Sequence, residues 1–147
     1  MLILKGCDHQ LLIKLQHCPG NAESDGAICV AESMSSIIPF DIKRVYYSYG
    51  AKKGVIRGHH AHKKLQQILI CIYGKIEISL DNGKGNSESV ILDEPSKGIY
   101  VGPSTWRTIK WLDDNSVLLV LASEHYDESD YIRNYNDFVE WRQNQEG

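Results

Sequence analysis

The chain has 147 residues, 42% hydrophobic and 24% charged, with a net charge of −3, ordinary globular values that suit one domain spanning residues 1–147, large enough to need neither metal nor disulfide to hold it together. Its scattered basic residues exclude a global attraction to nucleic acid, and no run approaches the ~18 apolar residues of a membrane span. Met1-Leu2-Ile3-Leu4 is broken at once by Lys5, Asp8 and His9, unlike a signal peptide, and Cys7, Cys18, Cys29 and Cys71 form no CxxC pair, so a cytoplasmic protein with reduced thiols is expected.

In chain order, Gly26–Glu32 and Lys43–Tyr49 read as β-type runs, the second rich in aromatic and β-branched residues. Gln66–Tyr73 is apolar almost throughout and suits a strand buried on both sides. Lys75–Leu80 alternates strictly, with Ile76, Ile78 and Leu80 on one face, and Asp81-Asn82-Gly83 signals a hairpin. Ser89–Leu92, Gly98–Val101, Trp106–Trp111 and Ser116–Ala122 complete a series of short strands. Such spacing predicts an all-β sandwich or barrel. Only the C-terminus reads as helical, with Ser129 as its cap and Tyr131, Ile132, Tyr135, Phe138, Val139 and Trp141 as its apolar stripe.

The chemistry concentrates in Gly54-Val-Ile-Arg-Gly-His-His-Ala-His-Lys-Lys-Leu-Gln-Gln. On a strand His60 and His62 point to one face and His59 to the other. Two imidazoles projecting together into a barrel are metal ligands, proton-transfer groups or a polar core pair. The spacing resembles the first motif of the cupins: Gly54, five residues, His60-x-His62, four residues, Gln67, six residues, Gly74. Metal-binding cupins typically carry Glu at the position of Gln67 and a further His in a second motif. That second motif resembles Gly98-Ile-Tyr-Val-Gly-Pro-Ser-Thr-Trp-Arg107, with Arg107 where a His is expected. A permanent cation is no ligand, and two His are too few for a three-ligand catalytic site. The expectation is a site without metal, its His pair available for acid–base work.

Lys43-Arg-Val-Tyr-Tyr, Arg57-Gly-His-His-Ala-His-Lys-Lys-Leu, Gly98–Pro103 with Trp106, and Val120-Leu-Ala-Ser-Glu-His-Tyr-Asp-Glu-Ser-Asp-Tyr-Ile-Arg133 together resemble the dTDP-sugar 3,4-ketoisomerase family of cupins. The resemblance implies a cupin-type jelly-roll barrel with a short C-terminal helix. It also implies a homodimer exchanging N-terminal strands, and a pocket for a dTDP-linked keto sugar. It casts His60 and His62 as the proton-transfer pair, Tyr47 as a catalytic pocket residue that positions a sugar hydroxyl, and Arg57 as a pocket residue. Arg107, with Arg57, can hold diphosphate or an enediol oxygen, and Trp106 can wall the pocket. The Tyr126–Arg133 block is expected to frame the helical end rather than to do chemistry. Two positions depart from some members, which carry His at Arg107 and a large residue at Asp25.

The implied reaction moves the keto group of dTDP-4-keto-6-deoxyglucose from C4 to C3 through an enediol. The expected product is dTDP-3-keto-6-deoxyglucose, toward a 3-amino-3,6-dideoxy sugar of a surface glycan. A neutral imidazole, with a reference pKa of about 6.5, removes a proton acidified by a neighbouring carbonyl, so no redox cofactor is expected. Competing readings are a 3,5-epimerase of the same sugars, a non-catalytic sugar-binding module and a metal-dependent oxygenase. The Arg57–Lys64 block favours ketoisomerisation over the first, and Gln67 and Arg107 count against the last.

Overall fold

Period-two alternation of apolar residues sets the first level of the structure. The computed structural model describes residues 12–145. Its strands are β1 (Leu12–Lys14), β2 (Gln16–Pro19), β3 (Ala27–Val30), β4 (Arg44–Ser48), β5 (Ile56–His62) and β6 (Gln67–Tyr73). They continue as β7 (Ile76–Asp81), β8 (Ser87–Leu92), β9 (Lys97–Val101), β10 (Trp106–Trp111), β11 (Val117–Ala122) and β12 (Tyr131–Ile132), followed by the helix α1 (Tyr135–Asn144). Two five-stranded sheets result, ordered β1-β9-β6-β11-β4 and β12-β5-β10-β7-β8, while β2 and β3 pair separately. Ile68, Ile70 and Val120 of one sheet share a buried core with Ile76, Ile78, Leu80 and Trp111 of the other. This is the expected all-β jelly roll.

The strongest sequence signals correspond closely to these elements. β10 has the expected limits, β6 is buried from Gln67 to Cys71, and β7 buries Ile76, Ile78 and Leu80 while exposing more of the residues between. β7 and β8 form the hairpin around Gly83, whose φ is 73°. Cys18, Cys29 and Cys71 are free thiols, and Cys7 lies outside the described residues. Among the described residues no helix is long and apolar enough to cross a membrane.

The C-terminal segment differs from expectation. Ser129 lies in a 3-10 turn, Glu128–Asp130, where its backbone N–H donates to the Asp127 side chain at 3.0 Å. The helix starts six residues later and is capped by Asn134, whose side-chain oxygen accepts the N–H of Asp137 at 3.0 Å. Tyr131 and Ile132 leave the expected helical stripe and pair instead with His62 and Ala61. The apolar residues served two elements, and pairing with β5 claimed the first two.

One irregularity in β5 positions the site. Gly58 stands opposite Thr108 and His60 opposite Arg107, which leaves His59 as an extra, bulged residue. Gly58 and His59 have φ of 93° and 54°. The inserted residue resets the alternation, so Arg57 (opposite Ile109) and His60 (opposite Arg107) share a face although three positions apart. Without the bulge they would face opposite ways. Gly58→Ala should therefore cost about 1–3 kcal/mol, because its Cβ would lie 2.9 Å from the Arg107 carbonyl oxygen at a positive φ. His59→Gly should be at least as stable as the wild type, since glycine accepts that backbone freely. Urea unfolding measures both, and an unaffected Gly58→Ala would mean that this backbone is not strained.

Candidate active site

β5 delivers two imidazoles with defined tautomers. His60 Nδ1 lies 3.0 Å from the Gly58 carbonyl oxygen. A carbonyl only accepts, so Nδ1 carries the proton and Nε2 presents a lone pair. His62 Nδ1 lies 3.1 Å from Asp130 Oδ2. The same carboxylate accepts the backbone N–H of Lys64 at 2.7 Å and of Leu65 at 3.2 Å. His62 Nε2 is buried without a hydrogen-bond partner among the described residues. The two rings meet edge to face with centroids 4.8 Å apart, and Tyr131 packs on both, at 5.0 Å from His60 and 4.3 Å from His62. Arg133 holds Tyr131 from outside, its guanidinium 4.2 Å from the ring centroid and paired with Glu128 at 2.7 Å.

Arg107 supplies the charge of the site. It is 1% exposed, donates from Nη1 to the side-chain oxygen of Gln67 and from Nη2 to the Thr105 carbonyl at 3.0 Å, and pairs with no carboxylate among the described residues. Gln67 in turn donates to the Tyr46 hydroxyl at 2.9 Å. The two residues that replace expected metal ligands thus bond to each other, forming a guanidinium–amide–phenol chain. No group of three His, Cys, Asp or Glu among the described residues is placed to hold a metal.

Burial, followed by the nearby Arg107 charge, pushes His60 down to about 4 and His62 down to about 2. Burial raises the Tyr46 phenol and lowers Arg107 to about 10, which leaves that guanidinium charged at neutral pH. Neutral bases therefore stand beside a fixed cation. Two cavities of about 320 and 330 Å³ meet the pair: Arg44, His62, Lys64, Tyr126 and Tyr131 help line one, while Tyr46, Arg57 and His60 help line the other.

The remaining sequence candidates divide. Arg57 reaches the His60 cavity and donates to Ser48 Oγ at 3.2 Å. Tyr47 lines the same cavity. It pairs across from Leu119, so it alternates away from Tyr46, and it is 63% exposed beside Tyr49. Tyr46, opposite the buried Val120, is the tyrosine joined to Gln67. Trp106 lines neither cavity; it alternates away from Arg107 and packs against Tyr135 and Phe138 of α1, at 5.4 and 5.8 Å. Asp130 and Tyr131, within the block read as a frame, touch the His pair directly. The sequence signal for Asp130 was an acid at the end of the Asp127-Glu128-Ser129-Asp130 run, next to Tyr131 and Ile132, which gains meaning only once β12 is known to pair with β5.

The fold and site define a cupin-type jelly roll with a pair of imidazoles in its interior. The family model described as "FdtA: WxcM-like, C-terminal" matches residues 10–143. A TDP-4-oxo-6-deoxy-alpha-D-glucose-3,4-oxoisomerase of Aneurinibacillus thermoaerophilus is 44% identical over 119 residues, 81% of this chain and 84% of that protein. The structure of QdtA, a sugar 3,4-ketoisomerase of Thermoanaerobacterium thermosaccharolyticum in complex with TDP, superposes with a TM-score of 0.83 at 42% identity, covering 91% of this chain and 94% of that one. The WlaRB TDP-quinovose 3,4-ketoisomerase of Campylobacter jejuni gives a TM-score of 0.80 at 40% identity, over 88% and 95% of the two chains. The chain belongs to the dTDP-sugar 3,4-ketoisomerase family.

The depressed imidazoles have a consequence for stability. Between pH 6.5 and about 4 the unfolded chain binds protons that folded His60 and His62 refuse. Stability should be complete above pH 6.5 and fall as the pH drops toward 4. A double His60→Asn, His62→Asn variant should show a shallower fall between pH 7.5 and 5 by urea unfolding. An unchanged slope would place the responsible protons elsewhere.

Proposed function

We propose that this protein is a cofactor-independent isomerase that moves the keto group of dTDP-4-keto-6-deoxyglucose from C4 to C3. The observation that carries the reading is the pair of Nε2 lone pairs beside the buried Arg107 cation. The C4 carbonyl acidifies the proton on C3, and a neutral imidazole takes it. Negative charge then moves onto the C4 oxygen, where guanidinium charge stabilises it without reorganising. Protonation of that oxygen gives the enediol. Loss of the O3 proton and delivery of a proton to C4 complete the transfer, so the atoms balance with no oxidant or reductant. Tyr46 suits the delivery step: it accepts from Gln67, which leaves its own hydroxyl proton free, and burial keeps the phenol protonated.

Product geometry follows from who returns the proton. The C3 hydrogen of the gluco substrate lies on the lower ring face, and one His returning it there would give the galacto product. β4 carries Tyr46 in one sheet and β5 carries the His pair in the other, so base and acid can approach from different sides. With Arg107 seating the ring, the proposed product is dTDP-3-keto-6-deoxyglucose, supplied for amination at C3 on the way to a surface glycan. The working unit we propose is a cytoplasmic homodimer. The edge position of β1 supports sharing of N-terminal strands, and residues 1–11, where exchange is expected to begin, lie outside the described residues.

Incubation with dTDP-4-keto-6-deoxyglucose in deuterated water, after exhaustive chelation, tests the whole reading by proton NMR. The expected results are a new 3-keto sugar with deuterium at C4 and, for the first product formed in ordinary water, strong coupling between the axial C4 and C5 hydrogens. His60→Asn and His62→Asn should each lose at least ~100-fold in turnover, and His59→Asn far less. Arg107→His should move the product toward weak, galacto-type coupling. Binding without exchange would leave only the sugar-binding module, loss of turnover restored by a divalent metal would sink the metal-free mechanism, and weak coupling with the wild type would refute the stereochemistry.

A further inference from the structure

We propose that Gln67 is a positioning residue that sets the direction of the Tyr46 hydroxyl proton, turning it out of the buried chain and toward the cavity that Arg57 and His60 line. This deepens the proposed ketoisomerase reading and rests on it for the chemistry, but the direction of the hydrogen bonds is a property of the free protein.

The order of the chain starts at Arg107, because a guanidinium can only donate. Its Nη1 donates to the Gln67 side-chain oxygen, so the amide has no choice of orientation. The oxygen faces the cation, and the NH2 group faces Tyr46, whose hydroxyl accepts at 2.9 Å. Gln67 and Arg107 are both buried, so this orientation is settled out of reach of water. A phenol oxygen that accepts along one line keeps its own O–H for another. Among the described residues the Tyr46 O–H donates to no group. Of the three members of the chain, only Tyr46 reaches the two cavities at the His pair, in the wall it shares with Arg57 and His60. Arg44 steadies the ring from its face, with the guanidinium 5.3 Å from the centroid.

The same amide N–H prepares Tyr46 to release its proton. Burial raises the phenol, while the Arg107 charge and then the Gln67 N–H pull it back down. In the delivery step the phenol O–H bond breaks and its proton bonds to C4. The electron pair comes from the C3–C4 double bond of the enediol, and O3 loses its proton as its carbonyl forms. The phenolate is held by the Gln67 N–H until the proton released from O3 restores it.

A carboxylate at position 67 reverses the chain without changing its size. In Gln67→Glu both oxygens accept: one keeps Arg107, and the other draws the Tyr46 O–H inward. The phenol then donates to the protein and has no proton to offer the cavity.

Neutron diffraction from crystals exchanged into deuterated water places these protons directly in the ligand-free protein. The Tyr46 deuteron should lie off the line to Gln67 in the wild type and on that line in Gln67→Glu. With dTDP-4-keto-6-deoxyglucose, Gln67→Glu should lose ~100-fold or more in kcat. In a Tyr46→Phe background the same change should cost at least about tenfold less than in the wild type, because the two residues act as one unit. A role in folding, or one exerted through Arg107 alone, would cost the same in both backgrounds. A wild-type deuteron aimed at Gln67 overturns the proposal with no variant needed, so a variant that fails to fold does not shelter it. Equal costs in the two backgrounds also overturn it. Absence of turnover in the wild type, with the deuteron as expected, would refute the ketoisomerase reading and leave the Gln67–Tyr46 geometry standing.

Discussion

The guanidinium of Arg107 is a full charge inside a jelly roll, held by an amide oxygen and a carbonyl rather than by a carboxylate. Taking such an ion out of water costs several kcal/mol even after relaxation, and much of the interior is arranged around that cost. Gln67 turns its oxygen toward the cation, which leaves its NH2 for the Tyr46 hydroxyl. The two imidazoles across the strand remain uncharged, because a second cation there would be repelled as well as desolvated. A carboxylate at position 67 would neutralise the charge more fully. The amide leaves it available to an anion arriving from outside, and the intermediate of a carbon-acid reaction is such an anion.

The bulge at His59 and the clamp at Asp130 determine where that charge can act. The first brings Arg57 onto the face of His60, and the second fixes His62 from behind. His59 lines neither of the two cavities, and Asp130 stands in the wall of the one that meets His62. Both work through backbone: one by adding a residue to a strand, the other by gathering the N–H groups of Lys64 and Leu65. The polar groups of the site are therefore held by strand pairing and main-chain bonds, not by mobile surface loops.

Much of this was legible in the sequence wherever the cause was local. Strict alternation in β7, the continuous apolar run of β6 and the His-x-His spacing each depend on neighbours a few positions away, and the structure has them as read. What a distant partner decides was not legible. Tyr46 and Tyr47 are indistinguishable in a β-rich run until pairing with β11 sets the phase. Trp106 turns outward because α1 packs there, and Ser129 yields the cap to Asn134 because β5 draws Tyr131 and Ile132 into a sheet. The bulge depends on the close approach of Gly58 to the Arg107 backbone, a contact 49 positions along the chain that no local pattern announces.

The tie between Asp130 and the Lys64–Leu65 backbone also bears on how the molecule comes into being. Its two halves leave the ribosome at different times, with the strands β6 to β11 made between them. A nascent chain that has not yet exposed β12 can bury Ile68, Ile78 and Val120 and still lack the anion behind His62. Contacts of such long sequence range close late and slowly. The anion behind His62 is thus added only after every residue of the main core has been synthesised.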